Sequence, residues 1–454
     1  MKPSSRFALP FAPTDAALAE RIAAVDVRGY ARTRNHLGGA VTRLGPWIAH
    51  GFVDLPALRD HLAACNGLGD DDKLLWQLGW REFFADSAER LGEALFADRR
   101  PALPGVRYRP TLPADLRCGR TGVAAIDRAV AQLHRCGWLH NHARLWLASY
   151  AVHVRHVHWR AGADWLYGHL LDGDLASNHL SWQWVAGTFA SKPYVFNAEN
   201  VARFAPADWH SAGSVIDRSY EAMEQLARGL LPASGPGAGP AAADGPAAAA
   251  DRNPTADGSA ADNPDSADPP LLPAPPDALL ADWLPLPCWR FTRPADLPEL
   301  SAMLAAEPAR PVELVHPWML LARPGEGPAL AATADALPLP GALRIGVIHL
   351  PFHARFPWSA LRWRFVLARM NDICDVVLLG DLTALTPLLH DRARVVTRRS
   401  VNPGYDSALA ALATQLLPVP RCFGRPAGPC DSFSKFWKQV GPQPLPARGW
   451  HAGS

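Results

Sequence analysis

From about Pro13 to Leu231 the apolar residues recur at helical spacing, with few β-branched runs. Thr121–Gln132 and His140–Val157 both place apolar side chains at i, i+3 and i+4, the pattern of a helix with one buried stripe. Cys136-Gly137 and Arg160-Ala161-Gly162 read as helix ends, because glycine reaches the left-handed conformation without a Cβ penalty. Residues 1–230 are therefore predicted to form an all-α domain. The periodicity vanishes over residues 231–285, where Ala, Pro, Gly and Asp dominate and no aromatic precedes Trp283. So little apolar surface cannot offset chain entropy, and a disordered linker is expected there.

Residues 286–445 change pattern again. Val312–Val315, Ile345–Leu350, Asp375–Leu379 and Arg394–Thr397 are short apolar runs of strand length, while Trp358–Met370 and Ala408–Leu416 have helical spacing. This alternation predicts a small α/β domain with a largely parallel sheet. Phe433–Val440 reads as a packing helix and Asp381 as an ordinary strand-end residue. The expected fold is multidomain: an all-α domain, a linker and an α/β domain.

Composition narrows the class. A chain of 454 residues with 48% hydrophobic content and a net charge of +2 can bury a sizeable core, yet its total charge points to no particular partner. The distribution is uneven: residues 101–160 carry nine arginines against Asp115 and Asp127, whereas 231–285 carry eight aspartates against Arg252. A basic face permits an anionic partner. Seven cysteines without a CxxC pair suit reduced thiols. With no signal-like segment and no apolar stretch long enough for a bilayer, the reading is a soluble, cytoplasmic protein without membrane contact. His153, His156 and His158 do not share one helix face and lack an acidic partner, so they read as helix-surface or DNA-facing residues, and no metal site is expected. Cys65, Cys118 and Cys136 are too few for an iron–sulfur cluster.

Four motifs carry chemistry. Tyr30-x-x-x-Arg34 precedes Val41-Thr42-Arg43-Leu44-Gly45-Pro46, whose small residues and proline open a helix and could offer backbone N–H groups to a phosphate. Trp76-Gln77-Leu78-Gly79-Trp80-Arg81-Glu82-Phe83-Phe84 offers an aromatic platform beside a cation. Gly137-Trp138-Leu139-His140-Asn141-His142-Ala143-Arg144 is followed by Asp172-Gly173-Asp174-Leu175-Ala176-Ser177-Asn178, then Trp182-Gln183-Trp184. A buried aspartate needs a cationic partner, and Arg144 is the candidate for Asp172.

In this order, together with Thr121-Gly122-x4-Asp127 and the ending Lys192–Asn197, the motifs resemble the FAD-binding half of DNA photolyases and cryptochromes over roughly residues 25–205. The resemblance implies a helical domain holding FAD folded into a U. Tyr30, Thr42, Arg43 and Leu44 would line the phosphates. Asn141, Arg144, Asp172 and Asp174 would surround the ring ends, with Arg81 and Trp138 in the same shell. Asn178 would sit at flavin N5 and tune which redox form persists. Trp182 and Trp159 would pass electrons to photoexcited flavin; Val106 falls near the usual third position, and Tyr108 is a substitute for it. Trp80 and Trp184 would flank flipped bases, with Leu145 and His142 beside them.

The chain departs from the family in three places. Val41 and Gly45 replace hydroxyl residues of the phosphate loop. Gln77 stands where photolyases carry a Glu that supports repair. The α/β domain follows the FAD domain, whereas the family's antenna domain precedes it; no motif in it supports an antenna chromophore. The expected activity is light-driven electron transfer from reduced FAD to a cyclobutane pyrimidine dimer in damaged DNA, making the protein a carbon–carbon lyase of the deoxyribodipyrimidine photo-lyase type. The alternative is a cryptochrome-like blue-light photoreceptor that signals to a partner through the linker or C-terminal domain.

Overall fold

The computed structural model describes residues 11–189, 192–233, 287–325, 337–392 and 394–441. The segment read as a linker lies almost wholly outside them. Helices fill the first part, and six strands with flanking helices fill the second.

The principal helices of the first part are α1 (Lys73–Leu91), α2 (Ala124–Cys136), α3 (Asn141–Ser149), α4 (Trp159–His169) and α5 (Leu175–Ala186). Gly137 ends α2 in the left-handed conformation, as its sequence position predicts. The Thr121/Asp127 motif has a local cause: Asp127 accepts hydrogen bonds from the Thr121 backbone and hydroxyl and from the Gly122 N–H, which fixes the turn leading into α2. The single helix expected over His140–Val157 stops early. After Ser149 the chain widens into one π turn, Tyr150–Val154, and Val157 leaves the helix to bridge to Arg109. The expected end at Arg160-Ala161-Gly162 is also absent, because α4 runs straight through it. Gly162 is there for contact: a Cβ would lie 2.2 Å from the Trp182 ring.

The second part is a six-stranded parallel sheet in the order β1-β4-β3-β2-β5-β6, comprising Cys288–Arg290, Val312–Val315, Leu343–His349, Val376–Gly380, Val395–Arg398 and Gln415–Leu417 in chain order. Strands β2 to β5 are buried throughout, so they are rich in apolar residues, and the charges that interrupt β2 and β3 are paired, Arg344 with Glu313 at 3.0 Å. Three helices matter here: α6 (Ala360–Ile373), α7 (Tyr405–Leu412) and α8 (Phe433–Val440). The helix expected over Ala408–Leu416 ends at Leu412, and the residues after it form β6. Asp381 is a local cap, its Oδ1 accepting from the Thr383 N–H and hydroxyl.

The first helices share one apolar core with the sheet, in which Trp47, Phe52 and Leu58 join Phe365, Val366 and Met370, while the helices between Leu116 and Ala227 pack a second core of their own. Two ion pairs with buried arginines cross the boundary, Arg398 with Asp54 at 2.5 and 2.8 Å and Arg369 with Asp15 at 2.8 Å. His50 Nδ1 meets the Pro317 carbonyl at 2.7 Å, and the Ser359 N–H donates to the Gly168 carbonyl. In doubly wound sheets the crevice at the strand-order switch, here between β2 and β5, commonly takes a ligand. In this protein Arg398 at the end of β5 turns instead to Asp54 of the helical part.

Candidate functional site

A cavity with about 1380 Å³ of empty space, counting its open mouth, lies among α1, α3, α5 and the loop before Gly45. Of the expected cofactor residues, Tyr30, Thr42, Arg43, Arg81, Trp138, Asn141, Arg144, Asp172, Asp174 and Asn178 all line it. Leu44 does not: its side chain is 2% exposed and belongs to the apolar core.

The centre of the wall is an ion pair. Arg144 Nη2 donates to both Asp172 oxygens at 2.9 and 2.8 Å, while its Nε donates to the Leu139 carbonyl, so the guanidinium is fixed on two sides. Asp172 and Asp174 come from one turn before α5. Asp174 caps that helix by accepting from the Ser177 N–H at 2.7 Å. Arg81 enters from α1; burial lowers its pKa while Asp172 and Asp174 sustain its charge. His140 is driven to a pKa of about 4 by burial and the neighbouring His142, so it is neutral near pH 7. Three arginines against two aspartates leave the lining positive, which suits an anionic ligand.

The phosphate-loop departure has a geometric cause. A Cβ at Gly45 would lie 2.4 Å from Asp172 Oδ2, so the carboxylate occupies the space a serine side chain would need. Next to it Arg43 adopts φ 54, a strained conformation for a residue with a side chain, and its guanidinium lies 5.1 Å from the Trp138 ring centre. This cradle of open backbone, Thr42 and arginines fits the diphosphate of a dinucleotide. The carboxylates and amides around Asn141, Asp172 and Asn178 fit the N–H and C=O edges of a flavin ring. The residues present therefore suit FAD.

Asn178 is oriented by its Nδ2, which donates to the Ala163 carbonyl at 2.8 Å. Trp182 lines the cavity and is 2% exposed. Trp159 stands outside the lining; it starts α4, the helix whose Gly162 touches Trp182, and its Nε1 donates to Asp98 Oδ1 at 2.5 Å. Farther out, the His158 ring lies 5.7 Å from Trp159 and 6.4 Å from Tyr108.

The residues expected to meet a substrate divide. Gln77, Trp80 and Leu145 line the same cavity. Trp184 does not; it is 42% exposed and packs beside Tyr194 at 5.5 Å. His142 also lies elsewhere, stacked 4.9 Å from Phe204. Of the three histidines read as surface or DNA-facing, His153 is buried and bonds the Val185 carbonyl, and His156 bonds the Leu226 carbonyl. Among the described residues no cluster of three metal-capable side chains occurs, and no helix is long and apolar enough to cross a membrane.

Two contributions to the site come from far along the chain. Phe433 of α8 stacks on Trp80 at 4.1 Å with nearly parallel rings, covering one face of the expected base platform. Arg362 of α6 reaches the Gly173 carbonyl between the two site aspartates. No local motif announces either residue. A signal for Arg362 does exist: it sits four residues after Trp358 and three before Phe365, on the apolar face of its helix.

Residues 74–225 match the family model described as the FAD binding domain of DNA photolyase. The chain is 36% identical over 151 residues to a deoxyribodipyrimidine photo-lyase of Streptomyces griseus, covering 33% of each chain. It is 40% identical over 165 residues to that of Vibrio cholerae, covering 34% of this chain and 35% of the relative. It is 31% identical over 198 residues to a cryptochrome DASH of Ostreococcus tauri, covering 41% and 35%. Over this stretch the chain is similar to the FAD-binding domain shared by photolyases and cryptochromes. The matched stretch spans about a third of the length of these relatives.

Proposed function

We propose that the cavity around Arg144 and Asp172 holds FAD and that the protein uses it to split cyclobutane pyrimidine dimers in DNA under blue light. One observation carries the reading: the cofactor set and the substrate-facing Gln77, Trp80 and Leu145 open into the same cavity. A lesion flipped from the duplex would then lie against the cofactor. Arg43, Thr42 and the loop backbone would hold the diphosphate, and Asp172, Asp174, Asn141 and Asn178 would hold the ring system. Bound FAD supplies one-electron chemistry driven by light, and the protein supplies orientation and electrostatics. Trp182 and Trp159 are the internal donors, with Asp98 accepting the Trp159 indole hydrogen bond. Gln77 offers hydrogen bonds to a base without a negative charge.

The test is incubation of the FAD-loaded protein with dimer-containing oligonucleotides under blue light, following thymine absorbance. Restored absorbance supports repair. Trp182→Phe should abolish photoreduction by external donors while leaving FAD bound.

A second reading, a blue-light photoreceptor without repair, is favoured by Phe433, which already occupies one face of Trp80. Intact photoreduction without restored absorbance selects this reading.

A further inference from the structure

Arg362 is fully buried, and its guanidinium is held as a fork. Nη1 donates to the Tyr167 carbonyl at 2.8 Å and Nη2 to the Gly173 carbonyl at 2.6 Å. It lies 4.0 Å from the Trp358 ring centre and 4.6 Å from that of Tyr167. Gly173 is adapted to it, because a Cβ there would come within 2.5 Å of Nη1. Among the described residues no carboxylate lies within ion-pair distance of this cation; Asp172 and Asp174 act on it from across the turn. A buried guanidinium without a paired acid is costly, so its surroundings must return that cost.

We infer that Arg362 is a positioning residue of the flavin site, supplied by the α/β part of the chain. Its fork fixes the Asp172-Gly173-Asp174 turn, and its charge lies behind the carboxylates that meet the ring. The inference rests on the reading that the cavity holds FAD. Two effects follow. Loss of the fork frees the Gly173 and Tyr167 carbonyls, and the turn no longer holds both aspartates in place. Loss of the charge makes the site less favourable to electrons arriving on the ligand, whatever the packing does.

The test uses the full chain with FAD titrated into apoprotein by fluorescence quenching, and a midpoint potential measured by redox titration. Arg362→Gln should weaken FAD binding at least tenfold and move the potential to more negative values. Arg362→Lys keeps the charge but cannot span both carbonyls; binding should weaken while the potential stays near that of the native protein. Lower thermal stability with unchanged affinity and unchanged potential in Arg362→Gln overturns the inference. Should that variant fail to fold, Arg362→Lys decides alone: native-like affinity refutes the positioning role, and weakened affinity with a retained potential supports it. Failure of the native protein to take FAD would defeat the reading of the cavity instead.

Discussion

The helical and the α/β parts serve one cavity in different ways. The helical part builds its wall from residues close in sequence: Asp172 and Asp174 share a turn, and Arg144 lies 28 positions before Asp172. The α/β part contributes Arg362 and Phe433 from outside, each across more than 180 residues of chain. Short-range constellations leave a pattern that a reader of the sequence can find. Contributions delivered by docking leave almost none, since only the packed structure brings the partners together. The α/β part is thus better described as the cavity's outer support than as an appended module.

The sharpest way to break this comparison is to remove a local wall residue. Asp172→Ala breaks a partly buried bidentate pair and leaves Arg144 held only by the Leu139 carbonyl. FAD affinity should fall by a factor of roughly 100 or more by equilibrium titration. Retained affinity would mean that the ion pair does not build the site.

A remote contribution comes next. Phe433→Ala deletes a buried ring that stacks on Trp80, a change costing about 3–5 kcal/mol in fold stability. Denaturant unfolding measures that loss. If the α/β part supports the cavity, FAD affinity should also fall, though less than in Asp172→Ala.

A third prediction concerns pH at the seam. Glu82 accepts hydrogen bonds from the Cys422 and Phe423 N–H groups, yet burial raises its pKa to about 7 against those bonds and the nearby arginines. A carboxyl whose folded pKa exceeds its unfolded value favours the folded state most below the unfolded value, near 4.5. That contribution fades as pH rises and is gone above about 7, a change on the order of 3 kcal/mol. Stability measured across this window should decline in the native protein and stay flatter in Glu82→Gln.

The smallest effect is expected away from the cavity. His156→Ala removes one hydrogen bond to the Leu226 carbonyl, about 1 kcal/mol, and FAD content by absorbance should not change.

How much was legible follows the same division. Val312–Val315 is a strand over the predicted residues because its three apolar residues all enter the core, while Glu313 is buried with them against Arg344 of the neighbouring strand. The Arg144–Asp172 contact was legible because a concentrated acidic motif demands a cation. Trp184 and His142 misled because a motif gives residue order but not helix phase: on α5, Asn178, Ser181, Trp182 and Val185 line the cavity and Trp184 does not. Gly162 misled for a related reason, since glycine marks both chain reversal and close approach. β6 was missed because three partly exposed residues following a helix carry too little pattern.

The apolar core that runs unbroken from Trp47 to Met370 has a thermodynamic consequence. With no dry seam inside that core, the sheet and the helices that share it should melt as one cooperative event. Occupancy of the cavity would then raise the melting temperature of that unit by mass action, sheet included.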